Sequence, residues 1–167
     1  MRIATKLALF TLMLPFTWAV ACHDDGPPTA PAAPAGIEPL RNALAPYTSL
    51  TLAKDAGYSL ALTDCMSNGD IGAMGVHFGK VALIDGTLDS LVPEVLIYEP
   101  GASGEMSLVG VEFVVPFAVS PKSGPPPTLF GQTFIPDDVF GLWTLHVWTH
   151  RANPSGLFAQ WNPRVHC

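Results

Sequence analysis

The chain has 167 residues and a formal net charge of −6, with 14 Asp+Glu against 8 Lys+Arg. That balance lacks the clustered positive charge that a nucleic-acid partner requires, and it argues against binding anionic lipid through the protein surface. The three cysteines, Cys22, Cys65 and Cys167, are an odd count, which in an exported chain leaves one unpaired.

Residues 1–21, MRIATKLALFTLMLPFTWAVA, place Arg2 and Lys6 ahead of an apolar run from Leu7 to Val20 with no acidic residue. This is the pattern of an export signal. It ends at AVAC, which permits cleavage by signal peptidase after Ala21, giving a soluble secreted protein. It also permits lipoprotein processing that leaves Cys22 as a lipidated N-terminus, and the latter is the favoured expectation. Residues 22–36, Cys22 followed by HDDGPPTAPAAPAG, then read as a Pro/Ala-rich tether that holds a domain off a membrane in the periplasm or on the cell surface. Loss of the signal lowers Lys+Arg from 8 to 6 against 14 Asp+Glu, a formal charge of −8. About 130 residues remain, enough for one core and too few for two, so 37–167 is expected to be a single globular domain.

Within it, Tyr47, Leu50, Ala53 and Gly57 recur at helical spacing, and Pro46 suits a first helical position. The spacing predicts a helical turn near 38–44 and a longer helix over 46–56, which Thr48, Ser49 and Thr51 weaken. The character then changes. AMGVHFGKVAL predicts a strand over 74–79. EVLIYEP and MSLVGVEFVVPFAV, joined by GASGE, predict an antiparallel hairpin. GLWTLHVWTH predicts another strand over 142–150. Between these, 120–138 holds five prolines and reads as a long loop of unassigned role. The tail RANPSGLFAQWNPRVHC, with turns at Asn153 and Asn162, is expected to wrap back over the sheet on Phe158 and Trp161. If Cys22 takes a lipid, Cys65 and Cys167 remain as a pair suited to an oxidising compartment; the alternative leaves Cys167 as a terminal thiol. The fold class is therefore α+β: an N-terminal helical segment on a curled antiparallel sheet, closed by a disulfide-tied strap.

Strand alternation sorts the candidate chemistry. In WTLHVWTH, Trp143, Leu145 and Val147 share one face, and Thr144, His146, Trp148 and His150 the other. Glu112 stands opposite Val111 and Phe113, and His77 opposite Val76 and Phe78. Each of three strands thus carries one ligand-capable residue among apolar neighbours. On adjacent strands about 4.8 Å apart, His77, Glu112 and His146 can converge inside the curl, forming a two-His-one-carboxylate site for zinc, iron or copper walled by Phe78 and Trp148. The three lie 35 and 34 positions apart, so no short spacing fixes the geometry. The competing expectation pairs Glu112 with Lys80, Arg151 or Arg164 and leaves the histidines as ordinary hydrogen-bonded residues. His150, about 13 Å along the strand from His146, falls at the rim. Ser67, Ser103 and Ser107 lie in no nucleophile-elbow pattern, and SNGDIGAMG reads as a turn rather than a phosphate loop.

Through AGY, GAMGVHF, PEVLIYEP, LVGVEFVV, LHVW and NPSGLFAQWNPRVHC the chain resembles a family of uncharacterised exported bacterial proteins. The resemblance implies a shared domain and no particular activity. The leading functional expectation is a lipid-anchored extracytoplasmic domain with a binding or envelope-associated role. The alternatives are a small metal-dependent hydrolase or oxygenase, and a carbohydrate- or peptide-binding module that stacks its ligand, a small molecule or a peptide, on Trp148 or Trp161.

Overall fold

The computed structural model describes residues 33–167. The expected export signal, Cys22 and most of the expected tether lie outside the described residues.

Helix α1 (Ile37–Ala43) is followed by a 3-10 turn (Ala45–Thr48) and helix α2 (Leu50–Asp55). The single helix expected over 46–56 is thus broken at Ser49. Its backbone is extended and its hydroxyl accepts from the Leu52 N–H, because serine competes for backbone donors and favours the cap over the helix interior.

Seven strands form one antiparallel sheet. β1 (Leu60–Ala61) and β2 (Met66–Ser67) lie end to end along the outer edge of β3 (Ala73–Gly79). Then come β4 (Val95–Pro100) and β5 (Met106–Pro116), the eleven-residue spine. The segment expected to be a proline-rich loop holds β6 (Thr128–Leu129), β7 (Gln132–Thr133) and β8 (Ile135–Asp137). β6 and β7 form a separate small hairpin, whereas β8 closes the far edge of the sheet against β9 (Leu142–Val147). Pro136 is tolerated in β8 because only one side of that edge strand pairs. The sheet order is β1-β3-β4-β5-β9-β8.

Alternation gives the sheet two different faces. Phe78, Leu96, Val111 and Val147 lie in register across four strands and, with Tyr98, Phe113, Val115, Trp143 and Leu145, face the helical layer. Ile37, Leu40, Leu44 and Ala53 cover that face, and all four are fully buried. The opposite face carries His77, Val95, Glu112, Thr144 and His146 together with a small second core of Ala73, Ile97, Val109, Trp148 and Val165.

The tail has the expected strap-like course. Trp148 receives it, donating from its backbone N–H to Leu157 O at 3.0 Å and from Nε1 to Ala159 O at 2.6 Å. Asn162, fully buried, exchanges two backbone bonds with Ala73 at 3.1 Å each. Gly72 permits this approach: it has φ +119, and a Cβ there would lie 2.3 Å from the Asn162 backbone. A Cys65–Cys167 disulfide with a sequence separation of 102 fastens the end.

Candidate metal centre

The break between β1 and β2 places residues 62–65 outside the ladder. Leu62 still donates to His77 O at 2.8 Å, but Thr63 turns in toward the sheet face, where its hydroxyl meets His77 Nδ1 at 3.0 Å. That contact fixes the ring of a histidine whose Nε2 is directed at the neighbouring strands. Glu112 is the register partner of His146 across β5 and β9, so these two side chains stand side by side, with His146 Nδ1 3.3 Å from Glu112 Oε1.

His77 must come from farther away, because β3 is separated from β9 by β4 and β5. In a flat sheet three strand spacings would be about 14 Å. Yet His77 Nε2 lies 3.4 Å from His146 Nε2 and 3.8 Å from Glu112 Oε2. Curling of the sheet toward this face, together with inward-leaning side chains, brings the three tips together. One ligand atom from each residue lies within 4.8 Å of the others, and the group can hold a metal ion. A tetrahedral ion with bonds of about 2.1 Å separates its ligand atoms by about 3.4 Å, the spacing found between the imidazoles.

All three residues are buried, with His77 and His146 each 4 % exposed. Burial lowers His77 to about 4. Burial, and secondarily the neighbouring His77, lower His146 to about 3. Glu112 is pushed up to about 8, chiefly by burial and secondarily by Asp137, against a hydrogen bond from Thr144 that favours the carboxylate. These directions describe three uncharged groups at neutral pH with one labile carboxyl proton among them. A divalent cation held there would take the place of that proton, with Glu112 as a carboxylate ligand beside the two imidazoles.

A cavity of ≈160 Å³ opens onto the cluster. Phe78 and Trp148, expected as its walls, do not line it. Phe78 points to the helical face by strand alternation and packs edge-on against Tyr98, 5.6 Å between ring centres. Trp148 lies just past β9, stacked 6.3 Å from His146 and covered by the strap, so it backs the imidazole instead of exposing a platform. The apolar walls include Leu62, Met66, Met74, Ile84, Phe140 and Trp161, of which only Trp161 carries a sequence expectation, as strap anchor and as stacking platform. Thr63 was missed because a hydroxyl in an edge break leaves no periodic signal. His150 is exposed, bonded to Thr149 Oγ1 at 2.8 Å, and stays outside the cluster. The cationic partners considered for Glu112 are engaged elsewhere or absent from it: Arg151 pairs with Glu99, and Lys80 lies over the Tyr58 ring.

The molecule is thus an α+β protein with a curled antiparallel sheet and a buried two-His-one-carboxylate cluster. Comparison with protein-family models, curated proteins and solved structures gives no match to the chain.

Proposed function

We propose that this is an exported, lipid-anchored protein that binds one divalent transition-metal ion, zinc in the first instance, on His77, Glu112 and His146, and presents it to a small ligand in the adjoining pocket. The convergence of three ligand atoms from β3, β5 and β9 carries the proposal. Two imidazole nitrogens and one carboxylate oxygen suit zinc and also iron or copper, and three protein ligands leave coordination positions open. Such an ion supplies Lewis acidity toward bound water or redox chemistry toward oxygen, the basis of a hydrolase or an oxygenase. The chain's own contribution is to orient and to exclude water. Thr63 holds the His77 ring, Thr144 favours the Glu112 carboxylate, and the apolar walls strengthen every electrostatic contact inside. Stacking of a sugar on Trp148 has less support, because that ring is 2 % exposed, whereas Trp161 is half-buried and forms part of the pocket wall.

Elemental analysis of the exported chain, purified with its disulfide intact, tests the metal. About one ion per chain is expected, lost in a His77→Ala, His146→Ala double variant that retains the fold. No bound metal after reconstitution with zinc, iron and copper would sink the proposal. Anchoring has a separate test: palmitate labelling that disappears in Cys22→Ser.

A further inference from the structure

The pocket beside the cluster is specific in size and in charge. Its volume of ≈160 Å³ is close to the roughly 150 Å³ of an apolar cavity that admits benzene, so it takes a body of about one six-membered ring. Leu62, Met66, Met74, Ile84, Phe140 and Trp161 offer that body apolar contact. Among the described residues no lysine or arginine lines the cavity to offset a ligand's negative charge. Among the described residues the one acid on its wall besides Glu112 is Asp137, whose carboxylate accepts from the N–H groups of Val139 and Phe140.

A divalent ion held by two neutral imidazoles and one carboxylate has one net positive charge. The ion's open position favours an anionic oxygen donor, whereas Asp137 on the same wall, with no lysine or arginine there to offset it, disfavours a second negative charge on the ligand; a cation is repelled by the ion. We propose that the pocket takes a small monocarboxylate, its carboxylate on the ion's open position and its apolar body, one ring in size, among Met66, Met74, Phe140 and Trp161. The proposal rests on the metal centre above and adds the ligand class to it.

The probe is benzoate, with benzyl alcohol as its neutral counterpart and inorganic phosphate as the multiply charged one. Each is titrated calorimetrically into the disulfide-intact chain, zinc-loaded and zinc-free, with zinc content measured on the same samples. Benzoate is expected to bind at least tenfold more tightly to the zinc-loaded chain, with no comparable gain for benzyl alcohol or phosphate. Ile84→Trp, which adds bulk to the cavity wall without touching a ligand, is expected to keep zinc and lose benzoate. A zinc-loaded chain that prefers benzyl alcohol or phosphate overturns the ligand class and leaves the metal centre standing. Undiminished benzoate affinity in zinc-bearing Ile84→Trp overturns the placement. A chain that takes no zinc, iron or copper overturns the metal centre itself.

Discussion

At the scale of single residues, the most informative contact is the hydroxyl of Thr63 on His77 Nδ1. When Nε2 binds a cation, Nδ1 must carry the proton and donate it to that hydroxyl, which selects the tautomer as well as the ring orientation. Replacing Thr63 with Val keeps the shape and removes the acceptor. Zinc affinity, measured by competition with a chelator, is expected to fall about 10- to 100-fold, with little change in thermal midpoint. A second residue sets a pH dependence of its own, close enough to Glu112 to act on it electrostatically. Glu94, buried at the start of β4, accepts from Val114 N at 3.1 Å, past the end of the β4–β5 ladder. Burial raises its carboxyl from 4.5 to about 7, with smaller contributions from Asp85 and Asp89, against backbone hydrogen bonds that lower it. An acid whose pKa rises on folding favours the folded state while protonated. Its contribution is fully present below the unfolded value near 4.5 and is lost as pH climbs through 7. The loss amounts to about 3 kcal/mol at most. Urea unfolding at pH 5 and pH 8 checks this: the decline should be visibly smaller in Glu94→Gln than in the wild type.

At the scale of elements, the strap is held by particular interactions with particular costs. Gly72→Ala forces a left-handed backbone on alanine and drives Cβ into the Asn162 backbone, so a loss of about 3 kcal/mol or more is expected in urea unfolding. Cys65→Ser with Cys167→Ser removes a closure whose separation of 102 residues corresponds to about 4 to 5 kcal/mol of chain entropy. A thiol reductant should lower the wild-type midpoint toward that of the double variant and leave the variant unmoved. The long elements were legible from sequence for a physical reason. β3, β4, β5 and β9 each run six residues or more, long enough for alternation to separate a core face from the His/Glu face. That alternation placed Trp143, Leu145 and Val147 opposite His146, as found. The two- and three-residue strands β1, β2, β6, β7 and β8 carry no period and take their form from tertiary pairing. Phe78 and Trp148 were misassigned as walls for different reasons. Alternation already set Phe78 opposite His77, whereas the burial of Trp148 depends on where the strap lies, which no local pattern encodes.

At the scale of the whole molecule, the sheet separates two environments within one domain. The helical side is a continuous apolar core; the other carries the polar cluster, the pocket and the strap. The candidate ligands were legible in the sequence as three isolated residues, while their meeting point depended on strand order and curvature. With β4 and β5 intervening, His77 and His146 approach only if the sheet bends. Proposed attachment through Cys22 puts this domain on a tether beside a membrane, in an exported compartment. Treating producing cells with globomycin should cause precursor to accumulate, and Cys22→Ser should shift the mature protein to the soluble fraction.

The disulfide has a further effect through its neighbours. Cys65 lies two residues from Thr63, and its partner ends the strap that carries Trp161 over the pocket. Oxidation therefore fixes both the group that orients His77 and part of the pocket wall. A metal ion at the proposed centre would thus depend on the disulfide: zinc affinity, measured by competition with a chelator, is expected to be weaker in the Cys65→Ser, Cys167→Ser double variant than in the oxidised chain.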